Sequence, residues 1–202
     1  MSRTTRYTAT STGLALIAAL VLMGCQSTPS SPTPTPTATV TTEPTPTETP
    51  ETPEETAVRL SETAVKEYFA VSDTALRSPD TFNTEDFKKV AIGTALADRE
   101  NVFSALVTQG LHQIGSTKVE AITDPRVNLE NNLDLTPPQV PIVEFNVCYD
   151  VSELNVVDAE GKSITPADRK PRGVFRVGVA NYEYPEGPWL VAFTELLEEE
   201  TC

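Results

Sequence analysis

The residues with chemistry to offer are three cysteines, one histidine and 29 acidic side chains in 202 residues, and their spacing excludes more than it suggests. Zinc sites pair cysteines about two residues apart with histidine nearby. Here Cys25, Cys148 and Cys202 stand far apart and His112 is alone. One histidine makes neither an HExxH site nor a Ser-His-Asp set, so His112 reads as a satisfied surface or core residue rather than a catalyst. The nine glycines are scattered and build no phosphate loop. Glu195 and the run Glu198-Glu199-Glu200 carry oxygens suited to calcium. They lack the glycine and alternating ligands of a calcium loop, and read as a solvated acidic edge.

Carboxylates on strands are the remaining chemistry, because one desolvated acid and one hydrogen-bond donor suffice for cofactor-free proton transfer. Glu144, Tyr149, Asp150 and Tyr182 fall on segments with strand alternation. That alternation places Val143, Phe145, Val147 and Tyr149 on one face, and Glu144, Asn146, Cys148 and Asp150 on the other. With the aromatic face inward, Asp150 points outward or closes the strand end through Ser152. No catalytic residue is assigned. Tyr149, Asp150, Tyr182 and Trp189 form a candidate pocket, with Phe175 and Phe193 beside it, either for a small apolar ligand or as plain core. No cofactor and no metal is expected.

Certain elements must hold these residues. Val58, Ser61, Val65, Tyr68, Phe69, Ser72 and Leu76 recur at helical steps, with Pro53 before them and Ser78-Pro79 after. Thr84 to Ala91 is predicted to be a short second helix. A third runs from about Thr94 to Gln109, turning Leu96, Val102, Phe103, Leu106 and Val107 inward and stopping at Gly110. Strands are predicted over 112–123, 140–151, 154–158, 172–184 and 188–197, with turns at Asp158–Gly161 and Tyr184–Pro188. Helices followed by antiparallel strands define an α+β plan, three helices packed on a curved, mostly antiparallel sheet.

The amino terminus has a different character. Arg3 and Arg6 precede a short apolar run, Leu14 to Met23, and a spanning helix needs about 20 apolar residues. Leu22-Met23-Gly24-Cys25 resembles the lipobox of bacterial lipoproteins, which implies cleavage after Gly24 and lipidation of Cys25. Residues 26–56 hold nearly half of the 17 prolines and no lysine, arginine or aromatic residue. Such composition predicts a disordered tether, reaching on the order of 90 Å in polyproline geometry. The organisation expected is therefore a signal peptide at 1–24, a Thr/Pro-rich tether at 25–56 and a folded domain at 57–202. Exported cysteines meet an oxidising compartment, so a Cys148–Cys202 disulfide is the default. A net charge of −14 disfavours nucleic acid and anionic headgroups.

The helical opening, the segment CYDVSELNVVDAEGKS (Cys148 to Ser163) and Trp189-x-Val191 before a terminal cysteine resemble a group of secreted lipoproteins from high-GC Gram-positive bacteria. Those lipoproteins are similar to the cone-shaped nuclear transport factor 2-like fold. The resemblance implies that fold for residues 57–202. It leaves activity open, since the superfamily holds ketosteroid isomerases, dehydratases, polyketide cyclases and non-catalytic modules. No residue matches the isomerase base. The reading that follows is a lipoprotein held on the extracytoplasmic face of the cell membrane through Cys25. It would be a non-catalytic module for an envelope protein or a small apolar ligand, the alternative being a cofactor-free isomerase or dehydratase.

Overall fold

Capping chemistry sets where the folded chain begins. In the computed structural model, which describes residues 50–202, helix α1 spans Pro53–Arg77 with Thr52 as its N-cap. The Thr52 side chain accepts from the Glu55 backbone N–H while the Glu55 carboxylate accepts from the Thr52 N–H, a reciprocal capping box. Pro53 opens the helix, where its missing N–H costs nothing. Residues 53–56, assigned to the tether from composition, thus belong to α1. Cys25, the apolar run before it and most of the tether lie outside the described residues.

A 3-10 helix covers Thr84–Lys89 where a short helix was expected, and α2 covers Gly93–Gln109. Gly110 ends α2 at φ 66°, a left-handed conformation that suits glycine. Inside α2, Ala95 and Phe103 are buried, whereas Val107 points to solvent rather than inward. The strands are β1 (His112–Ile114), β2 (Lys118–Asn128), β3 (Ile142–Asp150), β4 (Asn155–Val157), β5 (Arg172–Ala180) and β6 (Leu190–Leu197). β2, β3, β5 and β6 form an antiparallel sheet in the order β2-β3-β5-β6, and β1 pairs separately with β4. The fold class is α+β.

Two expected strands are cut short. The segment 112–123 breaks at Gly115, and β5 stops at Ala180. There the buried Asn181 side chain donates to the Gly187 carbonyl at 2.7 Å and accepts from the Glu183 N–H at 2.9 Å. An asparagine satisfied by its own turn removes Tyr182 from the sheet.

One face of the sheet is apolar. Val143, Phe145 and Val147 of β3 and Val177 and Val179 of β5 are fully buried against Ala64, Val65 and Tyr68 of α1. Val119, Ile122 and Val127 extend this face onto β2. The other face is polar. Arg126 pairs with Glu144 at 3.2 Å, Arg172 with Asp150 at 3.3 Å and with Glu120, and Arg176 with Glu195. Exposed pairs of this kind stabilise by less than about 1 kcal/mol each, and mainly keep the face wet. On this outer face a disulfide joins Cys148 to Cys202 across a sequence separation of 54. Closing a loop of that length stabilises by about 4 kcal/mol in the chain-entropy model.

Candidate binding cavity

Between α1, α2 and the inner sheet face lies a cavity of about 170 Å³. Tyr68, Phe69, Ser72, Asp73 and Leu76 reach it from α1, and Arg99 from α2. Gln113, Thr117, Tyr149, Phe175 and Thr194 come from β1 and the sheet side. Helical spacing explains the α1 contribution: steps of three and four residues stack these side chains on one stripe. Residue pairing explains the sheet contribution, because Tyr149 lies opposite Gly173, next to Phe175 on the same face. A Cβ at Gly173 would stand 2.7 Å from the Tyr149 hydroxyl, so the glycine makes room for the tyrosine ring. The ring then stacks on Phe175 at 4.6 Å, and Phe175 meets Phe69 at 6.3 Å. These three rings make an aromatic wall.

The polar groups of the cavity divide into two sets. Asp73, only 5% exposed, is fully engaged. Its carboxylate accepts from Gln113 Nε2 at 2.8 Å, from the Thr117 backbone N–H at 2.8 Å and from the Thr117 hydroxyl at 3.1 Å. Those bonds tie α1 to the β1–β2 turn. Tyr68, 2% exposed, buries a hydroxyl with no hydrogen-bond partner. Arg99 buries an equally unpartnered Nε, and its guanidinium carbon lies 5.9 Å from the centre of the Tyr68 ring. Burial pushes the Tyr68 phenol above its usual range, while the Arg99 charge and the neighbouring Thr194 hydroxyl work the other way. Burial also raises Tyr149, with Arg169 opposing.

Of the four pocket residues drawn from sequence, Tyr149 alone lines this cavity. Asp150 is on the outer face, where it accepts from the Ser152 N–H at 2.7 Å and pairs with Arg172. The Ser152 bonds hold its carboxyl below the usual aspartate range. Tyr182 is 49% exposed on the turn after β5. Trp189 is buried in the main core, edge-on to Tyr184 at 6.2 Å. The four therefore do not converge, since strand ends and turn geometry send them in different directions. Phe175 belongs to the aromatic wall, whereas Phe193 packs over Gly178, which pairs with Glu144 on the outer face. His112 starts β1 beside Arg77 and Pro79, away from the cavity. Glu195 pairs with Arg176, and Glu198 to Glu200 are exposed. Among the described residues no group of three or more His, Cys, Asp or Glu side chains is placed to hold a metal.

Sequence reasoning missed Tyr68, Asp73 and Arg99 as a polar set. One signal was present. Asp73 falls four residues after Phe69 and three before Leu76, and Arg99 falls between Ala95 and Phe103, so both charges interrupt inward-facing stripes.

Neither a family model nor a characterised protein sequence matches this chain. Among solved structures, the intermembrane space region of the chloroplast protein ARC6 is similar to 68% of this chain and 94% of its own length. The two are 14% identical with a TM-score of 0.43.

Proposed function

We propose that the protein is a lipoprotein tethered through Cys25 to the extracytoplasmic face of the cell membrane. On this reading its nuclear transport factor 2-like domain is a non-catalytic module that binds a small ligand. The observation that carries the binding half is the cavity of about 170 Å³ with its aromatic wall of Phe69, Tyr149 and Phe175. A wall of this kind favours a small apolar body over water. Support for binding over catalysis comes from Asp73, whose two oxygens already accept three hydrogen bonds and so are poorly placed to accept a substrate proton. The isomerase alternative would rest on Asp73 with Tyr68 rather than on Asp150 with Tyr149. It would require Asp73 to give up its Thr117 bonds.

The anchor rests on the lipobox-like Leu22-Met23-Gly24-Cys25 and the tether composition. Cys25→Ser should abolish detergent-phase partitioning and leave an uncleaved or released precursor. An unchanged partition and mature mass would sink the anchor. The binding half fails if neither a charged nor a neutral single-ring molecule enters the cavity, as followed by NMR shifts of Phe69, Tyr149 and Phe175.

A further inference from the structure

We propose that the segment after β6 is a redox-released strap beside the cavity. The Cys148–Cys202 bond holds it next to Tyr149, and reduction by a dithiol frees it and speeds the entry of a small ligand. This rests on the reading of the cavity as a binding site and names how that site is regulated.

Tyr149 belongs to two spaces. It lines the cavity of about 170 Å³, and it also lines a more open groove of about 440 Å³ together with Lys170, Gly173 and the carboxyl-terminal residues Leu196 to Glu200. Register explains the overlap. Tyr149 pairs with Gly173 and Leu196 pairs with Phe175, and Gly173 and Phe175 stand two residues apart on one face of β5. Because Gly173 has no side chain, the hydroxyl end of Tyr149 rests over bare backbone. The ring is thus a wall shared by cavity and groove, and a change of its rotamer joins the two.

The strap is fixed by geometry on the other side of the same residues. Leu197 and Cys148 are both partners of Val174, one from each side of β5. To bond Cys148, Cys202 must bring the chain across β5, roughly 10 Å at two strand spacings. Other ties to the strap are few. Among the described residues, Lys170 Nζ donates to the Glu198 carbonyl at 3.2 Å and the Glu200 N–H donates to the Leu197 carbonyl at 3.1 Å. Glu198, Glu199 and Glu200 are exposed, and three adjacent carboxylates repel one another. The covalent bond is therefore what keeps the strap in place. Its loss spares the sheet, since β6 ends at Leu197 and the core residues Val143, Val147, Val177 and Val179 lie within β3 and β5.

Release is a thiol–disulfide exchange. One thiolate of the dithiol bonds to a sulfur of the pair as the Cys148–Cys202 bond breaks. The second thiol of the reductant then displaces that mixed disulfide. The dithiol leaves with an S–S bond of its own, and the two cysteines gain two electrons and two protons.

The test follows benzyl alcohol exchange with the full-length protein in detergent by NMR, before and after treatment with dithiothreitol. Alkylation and mass spectrometry count the freed thiols, and the valine methyl signals of β3 and β5 report that the sheet is intact. Reduction should proceed without denaturant and raise the entry and exit rates several-fold, with affinity changed by less than about twofold. The double variant Cys148→Ala, Cys202→Ala should show the fast rates without reductant and no response to it. Tyr149→Ala should show them with the disulfide intact, and serves if the reduced protein and the double variant do not fold. Equal rates before and after reduction would overturn the strap while leaving the binding module standing. A bond that yields only in denaturant, or slow exchange persisting in oxidised Tyr149→Ala, would also overturn it. Binding of benzyl alcohol in neither state would overturn both readings.

Discussion

Tyr68 and Asp73 face one cavity from one helix, yet their polar ends are treated in opposite ways. The Asp73 carboxylate is held by three donors from residues 40 and 44 positions away in sequence. It joins α1 to the β1–β2 turn and leaves little capacity for anything else. The Tyr68 hydroxyl, equally buried, has no partner, and neither has the Arg99 Nε next to it. A folding sequence gains nothing from an orphaned buried donor. The Asp73 end is therefore tied by long-range hydrogen bonds, whereas the Tyr68 hydroxyl and Arg99 Nε are buried without such ties. The outer sheet face, by comparison, pairs its charges across strands.

Breaking the structural end should have the largest effect. Asp73→Ala strands the Thr117 N–H and hydroxyl without their acceptor and leaves Gln113 Nε2 only its long bond to the Gly115 carbonyl at 3.4 Å, at a cost of about 3 kcal/mol. Urea unfolding of the full chain should show the midpoint fall by the corresponding amount. A midpoint unchanged within error would mean that water replaces the carboxylate freely, and the division between the two ends would disappear.

Removing the orphaned group should act in the opposite direction and more weakly. Tyr68→Phe deletes a buried hydroxyl that has no partner and keeps the ring against Phe69 at 5.4 Å. Without ligand, stability should rise by up to about 1 kcal/mol, because the desolvation penalty of the hydroxyl is no longer incurred. A loss of stability comparable to that of Asp73→Ala would show that the hydroxyl has a structural partner, and would remove the contrast between the two ends.

How much of this was legible in sequence follows from the range of each signal. Local patterns located α1, α2 and the alternation of β3, since period and caps are written in consecutive residues. Val143, Phe145 and Val147 are inside and Glu144 and Asn146 outside as alternation requires. The partners of Asp73 were not legible, because nothing local pairs a residue of α1 with Gln113 and Thr117. Nor was the turn built by Asn181, which sends Tyr182 to solvent and leaves Trp189 in the core. The candidate pocket failed for that reason: it joined aromatic residues by strand membership, and their convergence depends on long-range geometry. Only the charges on inward stripes, Asp73 and Arg99, pointed to the cavity.

The smallest effect is expected outside both ends, at Asp150, and it sharpens the comparison by serving as its control. The Ser152 hydrogen bonds hold the Asp150 carboxyl below its ordinary range, with Lys118 adding a weaker pull in the same direction. A carboxyl whose pKa is depressed on folding contributes stability that is present above its unfolded value near 4 and is lost as pH falls through the lower folded value. Asp150→Asn should therefore flatten the acid side of the stability profile slightly, leave neutral-pH stability little changed and leave the cavity untouched. NMR titration of the unsubstituted chain should give Asp150 a midpoint below that of a free aspartate. A midpoint displaced upward would mean a desolvated acid at the end of β3, and the chemistry of the molecule would have to be sought on its outer face instead of around the cavity.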